Sequence, residues 1–271
     1  MRFYAMAGLP RSGSTLLSTL INQHPEAYSS ASTPVFDMMA NANSFIGNHE
    51  LYKAEPKEDA VYELMKSIPR SWYHDKTDKQ VVVDKSRAWT NQFQYLEFGE
   101  FETPILTCVR DLDEVIASFI RLVKKNPFKG EGKMNFIDRD VVLQGYNEIN
   151  DRNRCLTLIG ETGVVGRHLN QLRDIYEKKN QDKIHIIEYN DLVEDTQATM
   201  DKVFEMLKLD PVPIKKEGLK SIHAEKDAEI YGLEGMHTVK KTIEKTTQPT
   251  SELLDEEILK ACEGTAIWRT Q

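Results

Sequence analysis

The chain has 271 residues, with 43 acidic side chains against 35 Lys and Arg, a formal net charge of −8 and 40% hydrophobic residues. That acid excess argues against nucleic acid or an anionic membrane as a partner, so any anionic ligand must be gripped by local cations. The length suits one large α/β domain spanning 1–271, and Cys108, Cys155 and Cys262 have neither disulfide-framework nor metal-site spacing, so no metal is expected. No stretch approaches the about 20 apolar residues of a membrane span and no leader pattern opens the chain, which points to the cytoplasm.

Phe3 to Ala7 is a short apolar run that predicts a strand, and the segment Gly8-Leu9-Pro10-Arg11-Ser12-Gly13-Ser14-Thr15-Leu16-Leu17 follows it into a helical pattern. Strand, glycine loop and helix in that order present backbone N–H groups to an anion at the helix start. The spacing Gly8 to Gly13, then Ser14-Thr15, matches the nucleoside-triphosphate loop except that Ser14 stands where the phosphate-gripping lysine is expected. The cation lies upstream instead, at Arg11.

Further along, helical periodicity runs to His24-Pro25, restarts after Pro34 through Met39, and recurs over 57–75. Gln80 to Lys85 reads as a buried parallel strand with a lysine at its C-terminal end, where open parallel sheets collect ligands. Pro104 to Val109 predicts the next strand, closed by Arg110-Asp111 and a helix with Val115, Ile116, Phe119, Leu122 and Val123 on one face. A polar loop follows over 125–137, then two helices over 138–180 separated by Gly160, Gly163 and Gly166. Ile184 to Tyr189 predicts another strand, 196–209 a helix, 211–250 a largely irregular basic stretch, and Leu253 to Ala261 a terminal helix. The alternation implies a three-layer α/β fold, a mostly parallel central sheet with helices on both faces.

The loop Pro10-Arg11-Ser12-Gly13-Ser14-Thr15-Leu16 resembles that of the sulfotransferase superfamily, most closely its tyrosylprotein branch, which grips the 5′-phosphosulfate of 3′-phosphoadenosine 5′-phosphosulfate (PAPS). Arg110 and Ser118 have the spacing of the pair that holds the nucleotide 3′-phosphate in that family. Lys85 matches a strand-end lysine near the transferred sulfuryl group, and Tyr189-Asn190-Asp191-Leu192 is similar to a nucleotide-contacting segment. The resemblance implies Arg11 and Lys85 in catalysis, Pro10 to Leu16, Arg110, Ser118 and Tyr189 as donor ligands, and Lys240 and Lys241 as a late basic loop over the nucleotide. It implies PAPS as sulfuryl donor, PAP as product, and a hydroxyl or amine acceptor. The branch glutamate that serves as base is Ser32 here, which leaves Asp37 as the nearest carboxylate for that role. A nucleotide kinase of the P-loop type and a non-catalytic nucleotide-binding module remain as rival readings.

Overall fold

Strand β1 (Arg2–Gly8) buries Phe3, Ala5 and Ala7 on one side and Tyr4 and Met6 on the other. A strand apolar on both faces belongs in the middle of a parallel sheet that is covered twice. In the computed structural model, which describes residues 1–128, 130, 132–221, 226–245 and 248–269, it sits there. With β2 (Ala27–Ser32), β3 (Val81–Lys85), β4 (Ile105–Val109) and β5 (Ile184–Glu188) it forms an all-parallel sheet in the order β2-β3-β1-β4-β5.

Between the strands run α1 (Ser14–Ile21), α2 (Val35–Asn48), α3 (Glu50–Ala54), α4 (Glu58–Tyr73), α5 (Phe93–Gly99), α6 (Leu112–Lys125), α7 (Phe136–Leu143), α8 (Asp151–Ile159) and α9 (Gly166–Glu177). After β5 come α10 (Tyr189–Glu194), α11 (Thr196–Met206), α12 (Asp227–Tyr231) and α13 (Glu256–Cys262). One sheet face packs Phe3, Val82 and Ile105 against α4, α5, α6 and α8; the other packs Tyr4, Val83 and Leu106 against α1 and α11. Both faces are therefore covered, as the strand composition requires. Among the described residues no helix is long and apolar enough to cross a membrane.

Two features depart from the sequence expectation. The segment Ala27 to Ser32 is a strand although it is serine-rich, because side chains of neighbouring elements supply what an apolar strand finds in packing. Asn22 bonds both Ser29 backbone groups, at 2.7 and 2.9 Å, and Ser30 Oγ accepts the Lys85 N–H at 2.9 Å. The region 138–180 holds α7, α8 and α9 rather than two helices, since Asn150 caps a fresh start by accepting from Asn153 N–H at 2.9 Å. In the polar loop Lys129 and Glu131 lie outside the described residues.

Asp84, fully buried beside Lys85 in β3, pins that strand end. Its carboxylate accepts from Thr33 Oγ1 at 2.5 Å, from Trp89 Nε1 at 2.7 Å and from the Tyr73 hydroxyl. Burial pushes the carboxyl up from its ordinary range, and the three donors pull the other way.

At Gly8 the chain leaves β1 with φ +110°, and a Cβ there would stand 2.1 Å from the Cys108 carbonyl oxygen of β4. Gly8→Ala combines a left-handed backbone with overpacking and is expected to cost about 2–5 kcal/mol, a fall in Tm of roughly 5–20 °C. An unchanged melting curve for the variant would show that the turn is not constrained as described.

Candidate active site

The loop that leaves β1 is shaped by its neighbours before it meets any ligand. Leu9 N–H donates to the Cys108 carbonyl at 2.9 Å, and the Ser12 hydroxyl donates to the same carbonyl at 3.0 Å and to that of Leu9. Ser12 is thereby turned into the protein and holds the loop instead of lining its cavity. Arg11 takes a left-handed φ of +60° and Gly13 one of +91°, after which α1 starts at Ser14 with no side-chain cap on its N-terminus. The first N–H groups of a helix and its dipole favour an anion there. Gly13 admits no side chain, since a Cβ would lie 2.7 Å from the Tyr189 ring.

Two guanidinium groups converge on this helix start. Arg110 leaves the end of β4, stacks 4.0 Å from the centre of the Tyr189 ring and donates from Nε to Glu114 at 2.8 Å. Arg11 donates from Nε to Ser118 Oγ at 3.1 Å and from Nη1 to the Met236 carbonyl. Burial, and next the Arg110 charge, lower Arg11 to about 10. Cations forced together in a half-buried site are relieved by an anion between them, so the residues present fit a phosphorylated ligand. A cavity of about 220 Å³ opens here. Pro10, Arg11, Gly13, Ser14, Thr15 and Leu16 line it from the loop, and Arg110, Ser118, Tyr189 and Lys240 are among the residues that line it from other elements.

Lys85 extends from β3 and donates from Nζ to Thr15 Oγ1 at 3.3 Å, at the edge of a second cavity of about 600 Å³. The two cavities share Ser14, Arg87 and His237. His237 is held by one carboxylate at two points: Asp227 accepts from its backbone N–H at 2.8 Å and from Nδ1 at 2.7 Å. With the proton fixed on Nδ1, the acceptor lone pair of the ring is on Nε2, the arrangement a general base needs. The segment that carries the pair is fastened by Asn126, which bonds the Glu234 carbonyl and N–H, and by Lys133, which donates to the carbonyls of Glu229 and Ile230.

Not every residue singled out in the sequence reaches the site. Asp37 is exposed in the first turn of α2 and lines neither cavity, because the helix turns its neighbour Phe36 inward and carries Asp37 round to solvent. Lys241 is held away by pairing with the 216–219 segment, where its carbonyl accepts Leu219 N–H at 2.9 Å; Lys240 faces the cavity. Ser32, at the position of the branch glutamate, does line the second cavity. The sequence motifs do not single out Arg87, Asp227 or His237, which the structure brings to the cavities. Arg87 follows Lys85 by two positions at a strand end and was legible there, whereas the Asp227–His237 pairing spans an irregular stretch without periodicity.

His168 lines the second cavity, donates from Nδ1 to the Val164 carbonyl at 2.7 Å, and is lowered to about 4 by burial and then by the Arg87 charge. An unfolded histidine takes up its proton near pH 6.5, so folding opposes protonation between about 6.5 and 4 and stability falls as pH drops through that window. The loss is about 1–3 kcal/mol. His168→Gln is expected to flatten the decline in Tm between pH 7 and 4.5; an equally steep decline in variant and wild type would contradict the assignment.

Among solved structures the chain is similar to a sulfotransferase domain from the curacin biosynthetic pathway, at 17% identity over 96% of this chain and 95% of that one with a TM-score of 0.51. It also aligns with the sulfotransferase domain of the Synechococcus PCC 7002 olefin synthase (19% identity, 77% and 73% covered, TM-score 0.46). A third alignment is to retinol dehydratase solved with androsterone and the inactive cofactor PAP (13% identity, 98% and 80% covered, TM-score 0.45). At these identities the first likeness speaks for the fold. No curated protein sequence matches significantly. The sequence profile of the sulfotransferase family matches residues 5–213, most of the chain, and the protein therefore belongs to the sulfotransferase family.

Proposed function

We propose that this sulfotransferase uses PAPS as donor and passes its sulfuryl group to a hydroxyl or amine of a small acceptor, releasing PAP. The observation that carries the reading is the meeting of the two cavities at Ser14, Arg87 and His237, one cavity lined by paired arginines and an uncapped helix start, the other roomy enough for an acceptor. PAPS supplies the activated sulfuryl group. The residues divide the remaining work. The amides at the start of α1 and Arg11 hold the 5′-phosphate end; Arg110 and Ser118 hold the 3′-phosphate, and Tyr189 and Lys240 complete the walls. Lys85 provides a cation at the junction, where negative charge grows during transfer. His237 accepts the proton of the acceptor at Nε2, and Asp227 keeps the ring in the required tautomer and steadies the charge it gains.

A kinase reading fits the same residues less well. Ser14 occupies the place of the phosphate-gripping lysine, and Asp84, the strand-end carboxylate available for magnesium, accepts from Thr33, Tyr73 and Trp89 inside the protein.

Calorimetry on the wild type is expected to give tighter binding of PAP than of AMP or of ATP with magnesium. Arg110→Ala is expected to weaken PAP by about tenfold to a hundredfold and AMP by no more than a few-fold, since a charge-assisted contact is worth roughly 1.5–3 kcal/mol. Equal weakening of both nucleotides would remove Arg110 from the 3′-phosphate. His237→Gln is expected to keep PAP affinity while acceptor-dependent PAP release falls about a hundredfold or more. Wild-type turnover in that variant would dismiss His237 as the base.

A further inference from the structure

Helix α9 turns three polar side chains, Arg167, His168 and Gln171, toward the second cavity, and none of the three lines the donor cavity. Their spacing places them on one face of the helix. Gln171 is the unusual member, because its Oε1 is buried and has no hydrogen-bond partner among the described residues. A buried acceptor without a donor is unfavourable, and folded proteins leave few polar atoms in that state. The last torsion of a glutamine is broad, so a small turn of the amide brings this oxygen to the cavity.

His168 supplies a second acceptor. Its Nδ1 donates to the Val164 carbonyl at 2.7 Å and burial keeps the ring neutral, which leaves the Nε2 lone pair as its remaining hydrogen-bonding site. Arg167 has the opposite polarity: Nη2 donates to the Thr162 carbonyl at 3.0 Å, and the fork keeps further donors. Phe36, Phe136 and Tyr231 give the same cavity a wall of rings. Phe136 stands edge-on to Tyr231 with centroids 6.4 Å apart, and Tyr231 lies 5.4 Å from the His237 ring, so this run of rings ends at His237. Ring faces are electron-rich and attract the polarised C–H groups of a saturated ring.

Acceptors and donors on one helix face, opposite aromatic rings, suit some ligands and not others. A simple alcohol has a single hydroxyl, which the transfer consumes, and it leaves the α9 groups facing hydrocarbon. A carboxylate suits Arg167 but brings no hydrogen to Gln171 or His168. Hydroxyls donate and accept at once, so several of them on one ring satisfy all three residues. The volume of about 600 Å³ lies in the range of small-molecule sites and admits a hexose-sized ring.

We propose that the acceptor is a polyhydroxylated ring, a sugar or cyclic polyol, whose non-reacting hydroxyls donate to Gln171 Oε1 and His168 Nε2 while a ring face lies on the aromatic wall beside His237. This rests on the sulfuryl-transfer reading above, and it makes Gln171 a specificity-determining residue. An amide oxygen that costs the free protein stability then has a partner in the complex.

The test follows PAP release from PAPS by the full chain, with calorimetry on the PAP-bound protein as the binding readout. Methyl β-D-glucopyranoside and myo-inositol are compared with tetrahydropyran-2-methanol, which keeps a ring and one exocyclic hydroxyl, and with cyclohexylmethylamine and cyclohexanecarboxylate as cationic and anionic rings. The polyols are expected to exceed the single-hydroxyl ring about tenfold or more in kcat/KM and to bind more tightly than either charged ring. Gln171→Met is expected to cut that advantage about five- to tenfold with PAP affinity unchanged and Tm equal or higher, since the orphaned oxygen is gone. Gln171→Glu, which keeps an acceptor oxygen, is expected to retain the advantage within about threefold. Equal kcat/KM for polyols and the single-hydroxyl ring, no turnover or binding of either polyol, tighter binding of a charged ring, or an unchanged advantage in Gln171→Met overturns the proposal. A lowered Tm in Gln171→Met would assign the residue to the fold and overturn it as well. Polyols bound through Gln171 by a protein that does not bind PAP would support the acceptor inference and refute the donor reading, whereas equal sulfation of all alcohols would do the reverse.

Discussion

At Gly8 the backbone of β1 runs so close to the Cys108 carbonyl of β4 that no side chain fits between them. That contact decides where the loop goes. It lets Leu9 N–H and the Ser12 hydroxyl bond the same carbonyl, which turns the chain across the top of β4 and delivers α1 with its uncapped start beside Arg110. In a sheet of order β2-β3-β1-β4-β5 the neighbours of β1 are β3 and β4, so the residues at their C-terminal ends, Lys85 and Arg110, flank the loop. The strand order and one glycine thus gather a helix start and three cations from distant parts of an acidic chain.

Holding those cations close is unfavourable without an anion, and the structure invests its buried polar groups in bearing it. Arg110 leans on the Tyr189 ring and Glu114, and Arg11 on Ser118 and the Met236 carbonyl, so each guanidinium keeps partners and direction. Asp84 contributes from below: with Thr33, Tyr73 and Trp89 around its carboxylate, the end of β3 is fixed and Lys85 emerges at a set place. The Arg11 bond to Met236 has a second effect, since His237 is the next residue. The loop between β1 and α1 and the segment that carries His237 are thereby tied together, and His237 reaches the junction on a strap that Asn126 and Lys133 fasten from outside.

What was legible in the sequence follows from how locally each feature is encoded. The glycine loop is contiguous, and Arg110 with Ser118 spans one strand end and two turns of one helix, so residue types and spacing carry the chemistry without knowledge of the fold. The parallel strands announce themselves by apolar runs, except β2, which is bonded by Ser18 on α1 and by Asn22 just after that helix. Among carboxylates, proximity to Ser32 in sequence points to Asp37 as the base. Its helix carries Asp37 to solvent and gives Phe36 to the cavity, while the histidine and carboxylate that do meet there come from a stretch whose composition signals only an irregular basic segment. Lys240 and Lys241 show the same limit, as adjacent residues in such a stretch face different ways and only the pairing with 216–219 decides which one turns inward.

If the loop cavity is a 3′-phosphoadenosine site oriented toward the second cavity, a crystal structure of the protein with PAP will show it. The expected complex has the 5′-phosphate on the amides of Gly13 to Thr15 with Arg11, the 3′-phosphate on Arg110 and Ser118, and the 5′ end nearest Lys85 and His237. A nucleotide bound the other way round, or seated in the second cavity beside Arg167, would contradict it.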